Sequence, residues 1–320
     1  MSGLCPAFQS ARQGGFVKLI VGQIGVGTIG RIYAENLAKA GASLSVFDTD
    51  AKQCEALAAR GITVATSLAD LTRRAQLILV SLPNPDAARS CMLDVGGAFA
   101  SAQPGTLFLD TSTIDPRTAR ELFAAAKQRG LDYIEAPVSG GEPMGAGTDG
   151  AKAANITFMA AGEKAAFERA KPLMTCIGQH FLFLGPAGMG STIKLISNHI
   201  SGLHNLIASE AFMLGRAAGV DSETLFSVFQ HTDANSYWLF NYFAPRIRAK
   251  NFEPGFSVDL QYKDHRLAED LARELKVPLL FNALAMQIYQ ILRSTGSGSK
   301  DVVEAANLMS DWGHVPRYDV

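Results

Sequence analysis

The 320-residue chain is short of charge, of cysteine and of long apolar runs, and each shortage removes a class of protein. Charged residues make up 18% of it, below the quarter or so usual in soluble domains. With 29 basic and 30 acidic side chains the net charge is −1, so the electrostatic footprint needed for a phosphate backbone is missing and no nucleic-acid partner is expected. The longest apolar runs, such as Leu77 to Val80 and Phe181 to Leu184, fall far short of the roughly 20 residues that span a bilayer, so no membrane partner is expected either. Four cysteines, Cys5, Cys54, Cys91 and Cys176, lie dozens of residues apart, which matches neither zinc spacing nor a disulfide framework and points to a reducing cytoplasm. The six histidines form no H-x-x-x-H or H-E-x-x-H pair, and no metal site is expected. Residues 1–16 carry Arg12 as their only charge and lack a continuous apolar stretch; they read as a flexible leader rather than a signal peptide.

What the chain has in quantity is apolar side chain, 48% of its residues, with a mean hydropathy of +0.10. From Val17 short β-type runs alternate with helix-length segments: Lys18 to Ile24, a helix through Ala40, Leu44 to Phe47, a helix from Ala51, Gln76 to Ser81 and Thr106 to Asp110. Short apolar strands separated by helices predict βαβ units and a mostly parallel sheet covered on both faces. Strand signals continue at Tyr133 to Glu135, Asn155 to Ala160 and Phe181 to Phe183, then stop. After Gly190 the apolar positions Ile193, Ile196, Ile200, Leu203, Ile207, Ala211 and Leu214 step by three and four, the period of a long helix that opens an all-α second domain. Length supports two domains, here drawn at 17–187 and 188–320. The low charge content then suits a doubly covered sheet and a subunit interface, in a homodimer or homotetramer.

The first motif with chemistry in it is Gly25-Val26-Gly27-Thr28-Ile29-Gly30, between the strand ending at Ile24 and the helix through Tyr33 and Leu37. Glycines there permit a tight turn, let the backbone approach a pyrophosphate, and let helix and strand pack closely, while the helix N-terminus offers its N–H groups to the anion. The motif alone is weak evidence. Asp48, eighteen residues beyond Gly30 at the end of the second strand, strengthens it, because a carboxylate there accepts hydrogen bonds from the adenosine ribose. The fold class is thus α/β, with a Rossmann-type doubly wound sheet, a long interdomain helix and an all-α C-terminal domain. Asp48 also selects the cofactor: about 4 Å from a 2′-phosphate it would add roughly 4 kcal/mol of repulsion per phosphate charge at an effective dielectric of 20. No arginine in Thr49 to Gln53 offsets this, so NAD is preferred over NADP. Leu82, Pro83 and Thr113 follow later strands, where loops meet a dinucleotide.

Three further segments complete a pattern: Glu135-Ala136-Pro137-Val138-Ser139-Gly140-Gly141, the run Gly185 to Asn198, and Phe256 to Asp264. With the glycine loop they make the chain, from about Val17 to about Leu292, resemble the β-hydroxyacid dehydrogenases, the group of 3-hydroxyisobutyrate dehydrogenase and 2-hydroxy-3-oxopropionate reductase. The resemblance implies transfer of a hydride between the nicotinamide and a small 3-hydroxyacid or its semialdehyde. It makes Ser139, Gly140 and Gly141 the substrate-binding signature. A serine hydroxyl beside two side-chain-free amides is suited to hold a carboxylate without adding a competing charge. It makes Lys194 the general acid/base and Asn198 the residue that orients the substrate oxygen; four apart, they face the same way on a helix, about 6 Å along it. A lysine base must shed a proton below the ordinary value of about 10.4, which desolvation in a closed cleft favours. Lys263, by the same resemblance, closes over the cofactor, with Phe256 as a wall, and the active site is expected in the seam between domains near Pro186.

The chain departs from the family pattern at Ile29, Ile32 and His265 and in the Gly/Ala-rich stretch Met144 to Ala154, which adjoins the substrate signature. Two alternatives share the architecture. An imine reductase usually carries another residue in place of Lys194, and a non-catalytic dinucleotide-binding module would have no need of Lys194, Asn198 and Ser139 together.

Overall fold

The computed structural model describes residues 19–140 and 148–319. The leader, Gly141 and the first part of the Met144 to Ala154 stretch lie outside the described residues. The chain divides into two compact units, Met1–Lys194 and Leu195–Val320.

The first unit is a nine-stranded sheet with helices between its strands. Its elements run β1 (Ile20–Ile24), α1 (Thr28–Lys39), β2 (Ser43–Phe47), α2 (Ala51–Ala58), β3 (Thr63–Val64), α3 (Leu68–Arg74), β4 (Leu77–Val80), α4 (Pro85–Leu93), α5 (Ala98–Ser101), β5 (Leu107–Asp110), α6 (Pro116–Gln128), β6 (Asp132–Glu135), β7 (Val138–Gly140), α7 (Thr148–Lys152), β8 (Ile156–Gly162), α8 (Lys164–Met174) and β9 (His180–Phe183). The strand order is β3-β2-β1-β4-β5-β6-β8-β7, with β9 on β8. Pairing is parallel from β3 through β6 and between β8 and β9; β8 is antiparallel to β6 and β7. The sheet is thus the expected doubly wound, mostly parallel one. The two-residue β3 and the short β7 carry too little apolar pattern to be seen in the sequence. Residue alternation shows why β4 and β5 read as unbroken apolar runs: Leu77, Leu79, Leu107 and Leu109 enter one core with α1 and α8, whereas Ile78, Val80 and Phe108 enter another with α3, α4 and α6.

The 29-residue helix α9 (Met189–Ala217) is shared between the units by the chain itself. The second unit continues with α10 (Ser222–Phe229), a π-helical turn at Leu239–Phe243, α11 (Ala244–Arg248), α12 (Val258–Leu275), α13 (Leu280–Ser294) and α14 (Glu304–Trp312). Its core includes Phe212 against Phe226 and Phe243, with ring centroids 4.5 and 5.4 Å apart. No helix among the described residues is long and apolar enough to cross a membrane.

Helix α9 reverses the usual sense of its pattern. Its apolar stripe is exposed at Ile193, Ile196, Ile200, Ile207 and Leu214, while Lys194, Asn198 and Asn205 are buried together with Leu195, Leu206 and Phe212. Periodicity revealed the helix but not which face turns inward.

Candidate active site

Strand register lines up the ends of five strands. Phe47, Ile24, Val80, Asp110 and Glu135 are consecutive Cα partners across β2, β1, β4, β5 and β6. Every segment after these residues therefore leaves the sheet at one edge: the Gly25–Gly30 loop, Asp48, Leu82 and Pro83, Thr111 to Thr113, and the Ser139 segment. Strand order reverses at β1, so this edge has the crevice in which open α/β sheets bind ligands.

The glycine loop is held from both sides. Gly25 has φ +84°, and a Cβ on it would overlap the Ser81 carbonyl oxygen; a Cβ on Gly30 would overlap the Gly25 carbonyl. Both positions therefore require glycine. Buried Gln23 ties the turn together, its Nε2 donating to the Gly30 carbonyl at 2.5 Å. Asp48 accepts from Val26 N–H at 2.8 Å through Oδ2 and from Asp50 N–H at 3.0 Å through Oδ1. Each carboxylate oxygen has two acceptor sites, so Asp48 retains capacity for ribose hydroxyls. Gly27 is the N-cap of α1 without any side-chain cap, and a Cβ there would meet nothing within 4 Å. An uncapped helix N-terminus beside open space, with a carboxylate one strand over, fits a dinucleotide. Thr28 is exposed and Ile29 half-buried on the rim of that turn.

The neighbouring strand ends are equally fixed. Ser112 Oγ accepts from Leu82 N–H at 2.8 Å, and Thr111 Oγ1 donates to the Val80 carbonyl at 2.7 Å. Asp110, 1% exposed, accepts from Ser112 N–H and the Tyr133 hydroxyl at 2.9 and 2.7 Å. Burial raises its carboxyl above the ordinary aspartate range, against these hydrogen bonds, which lower it. Thr113 is half-buried and Pro83 exposed on this edge. Ser139 and Gly140 lie in β7, half-buried, opposite Thr157 and Ile156 of β8.

Glu135, the last residue of β6, reaches the start of α9. It accepts from the Gly188, Gly190 and Ser191 amides and from the Ser191 hydroxyl. Burial pushes its carboxyl up, opposed by these same hydrogen bonds. Lys194 follows one turn later and is 7% exposed.

In the second unit Asn198, 6% exposed, donates through Nδ2 to Asp264 Oδ2 at 2.5 Å, and Asp264 Oδ1 pairs with Lys263 Nζ at 3.0 Å. An amide must turn its NH2 end toward a carboxylate, so Asp264 fixes the orientation of Asn198. Gln261 Nε2 adds a bond to the Asn198 carbonyl at 3.1 Å. Half-buried Phe256 is held by buried Asp301, which accepts from Gly255 and Phe256 N–H at 2.8 and 3.1 Å. His265 is a core residue, stacked on Tyr289 and bonded through Nδ1 to Asn282 Oδ1 at 2.6 Å. Burial lowers its imidazole below the ordinary value of 6.5.

The named residues thus assemble in two groups, Gly25 to Gly30, Asp48, Leu82, Pro83, Thr113, Ser139, Gly140 and Lys194 in the first unit, and Asn198, Phe256 and Lys263 in the second. Sequence reasoning missed Glu135, Asp110, Asp264 and Asp301 as organising carboxylates. For Asp110 and Glu135 the available signal is an acidic residue closing a short strand, as in Leu107–Asp110 and Asp132–Glu135. Among the described residues no group of three His, Cys, Asp or Glu side chains is placed to hold a metal ion.

A doubly wound sheet with a glycine loop at its switch point, followed by a helical unit, defines a dinucleotide-binding oxidoreductase. Residues 20–185 match the family model described as the NAD binding domain of 6-phosphogluconate dehydrogenase, and residues 188–309 the one described as NAD-binding of NADP-dependent 3-hydroxyisobutyrate dehydrogenase. The chain is 31% identical to the 2-(hydroxymethyl)glutarate dehydrogenase of Eubacterium barkeri over 88% of its own length and 92% of that protein's. It is 33% identical to the NAD-dependent L-serine dehydrogenase of Pseudomonas aeruginosa, covering 87% and 93%. The crystal structure of Mycobacterium tuberculosis 3-hydroxyisobutyrate dehydrogenase with L-serine superposes with a TM-score of 0.82 at 28% identity, covering 92% of this chain and 99% of that one. The chain belongs to the 3-hydroxyisobutyrate dehydrogenase family of NAD(P)-dependent hydroxyacid dehydrogenases. Imine reductases are more distant: that of Myxococcus stipitatus, 18% identical with a TM-score of 0.57 over 90% of this chain and 98% of that one, shares the fold alone.

Proposed function

We propose that this chain is an NAD-preferring dehydrogenase, or semialdehyde reductase, of a small 3-hydroxyacid, with Lys194 as general acid/base. One observation carries the reading: the Lys194 side chain is buried at 7% exposure while Ile193 and Ile196 beside it are 39% and 52% exposed. Burying an ammonium and leaving isoleucine in water inverts the ordinary ordering, a cost that proteins retain where a site uses the group.

The loop Gly25 to Gly30 would hold the cofactor pyrophosphate on the α1 N-terminus and Asp48 the adenosine ribose. Leu82, Pro83 and Thr113 would border it, with Phe256 and Lys263 contributed by residues 188–320. The nicotinamide, when bound, would supply the hydride acceptor for oxidation and the hydride donor for reduction. Lys194 Nζ takes the alcohol proton as the C–H bond gives up its hydride, and returns a proton to the developing alkoxide in the reverse direction. Ser139 and Gly140 would hold the substrate carboxylate; Gly141, outside the described residues, completes that signature. Asn198, its amide set by Asp264, would orient the reacting oxygen. Asp48 supports NAD over NADP on electrostatic grounds.

The relatives support the substrate class. 2-(Hydroxymethyl)glutarate, 3-hydroxyisobutyrate and serine share a hydroxymethyl group on the carbon that bears the carboxylate and differ in the third substituent. A carboxylate anchor and a proton-transfer group serve all three, so selectivity falls to the pocket for that substituent.

A second copy of the chain is the proposed cover for the exposed stripe of α9. No residue from Leu195 to Ser209 carries a formal charge other than what His199 and His204 gain on protonation, so this face is not built for water.

The test is turnover of 3-hydroxyisobutyrate, glycerate, threonate, serine and short semialdehydes with NAD(H) and NADP(H), in wild type and Lys194→Ala. General acid/base help is worth roughly two to four powers of ten, so the variant should lose about that much kcat while its NAD Kd changes little. Tight NAD binding without turnover of any of these compounds would instead identify a non-catalytic binding module.

A further inference from the structure

Glu135 is a buried carboxylate that hydride transfer does not require, yet it gathers four donors. Three are backbone amides of one segment, Gly188, Gly190 and Ser191, and the fourth is the Ser191 hydroxyl. Ordinary helix capping needs less: Asp50, Asp115 and Asp221 each satisfy a helix start with a local side chain two or three residues before the amide it accepts from. Glu135 does so from 53 to 56 residues away, across the sheet edge. The approach is also close, because a Cβ on Gly190 would overlap the Met159 carbonyl and stand 3.3 Å from the Glu135 carboxyl carbon. Strand β6, strand β8 and the first turn of α9 therefore meet at one point, clamped by one carboxylate.

Resting on the reading of Lys194 as the proton-transfer group, we infer that Glu135 is a positioning residue for the reaction: it sets the rotation of α9 about its own axis, and so the direction of Lys194. Gly190 and Ser191 precede Lys194 by four and three residues, the spacings that place side chains on neighbouring rows of a helix. An α-helix is stiff over one turn, so an azimuth fixed at Ser191 is transmitted to Lys194. A side-chain tip about 6 Å from the helix axis moves about 1 Å for a rotation of about 10°. A misplacement of about 1 Å at a reacting group can cost about a hundredfold in rate. One carboxylate that holds the residue before the helix, the Gly190 amide, and both the amide and the hydroxyl of Ser191 resists such a rotation, because turning the helix would break several of these bonds at once. Glu135 also closes the strand that leads into Ser139, so one side chain ties the proposed carboxylate anchor to the proposed acid/base.

Glu135→Gln keeps the length of the side chain but places an NH2 group where one carboxylate oxygen accepted, so the Ser191 amide or the Gly188 and Gly190 amides lose their partner. Glu135→Asp keeps the charge and both acceptor oxygens with a shorter reach. Expected are a fall in kcat of about 10- to 100-fold for Gln, partial recovery for Asp, and KM for the hydroxyacid and Kd for NAD within about threefold of wild type. Should the Gln variant not fold, Ser191→Ala removes a single donor and should lower kcat severalfold with the same Kd for NAD. A folded Gln variant, or failing that Ser191→Ala, with wild-type kcat overturns the proposal, as does a loss of kcat matched by an equal loss of NAD affinity. Lys194→Ala separates the two ideas: if it retains wild-type kcat the acid/base reading fails, whereas an inactive Lys194→Ala beside a fully active Glu135→Gln removes only the positioning role.

Discussion

Replacing Asp48 by Asn tests whether one side chain decides the cofactor. Asp48 is half-buried, and its oxygens accept from Val26 and Asp50 N–H at 2.8 and 3.0 Å. Hydrogen bonds to a charged acceptor contribute about 1.5–3 kcal/mol and neutral ones about 0.5–1.5, so losing the charge should weaken the ribose contact of NAD by about 1 kcal/mol. For NADP the same change removes repulsion. About 4 kcal/mol per phosphate charge at 4 Å and a dielectric of 20 falls to about 2 kcal/mol once half-exposure and salt are allowed for. The two effects sum to about 3 kcal/mol, a shift of roughly a hundredfold in the ratio of kcat/KM for NAD to that for NADP. Any loosening of the Val26 turn by the lost acceptor penalises both cofactors alike and cancels in the ratio. The assay is steady-state kinetics with each cofactor on the same hydroxyacid, alongside a melting curve. A wild type that prefers NADP, or a folded variant whose ratio moves less than about fivefold, would refute the electrostatic argument.

Two further outcomes follow from burial. Ile207→Glu with Leu214→Glu, at side chains 64% and 68% exposed, should leave the fold intact and reduce the scattering mass to that of one chain; a wild type already monomeric at micromolar concentration would remove the proposed interface. Asp110→Asn should change the pH dependence of stability. Burial raises the Asp110 carboxyl in the folded state above its ordinary 3.8, so the folded chain holds that proton longer than the unfolded chain, and stability falls as pH rises from 3.8 through the raised value. The Asn variant lacks this contribution, and urea unfolding across the acidic range should show wild type losing ground to it as pH rises; parallel curves would contradict the sign.

Much of the first unit is legible in one dimension because its physics is local. The four-residue apolar run Leu77–Val80 is a strand buried on both faces of the sheet, and Gly25 and Gly30 stand at positions where a Cβ would overlap the backbone. Lys194 and Asn198 were visible as a pair because helical spacing is also local. The strands Thr63–Val64 and Val138–Gly140 were not, since two or three residues carry no period and exist only through their partners β2 and β8. In the sequence Glu135 is only the first residue of a motif, because its donors lie more than fifty residues on.

The amino-acid order alone determined the βαβ alternation, the dinucleotide loop with Asp48 after the second strand, and the long helix with its lysine and asparagine one turn apart. These are consequences of side-chain period and backbone sterics, which act between residues near in sequence. Only the tertiary structure decided which face of α9 is inside. Period is blind to direction, and a stripe of isoleucines alternating with a stripe of Lys194, Asn198 and Asn205 has two possible orientations. The outcome was settled by what faces each stripe: Glu135 takes the amides of the first turn, Asp264 takes Asn198, and the Val302 carbonyl takes Asn205 at 2.7 Å. Buried polar groups are tolerated where partners wait for them, and those partners are brought together by the fold.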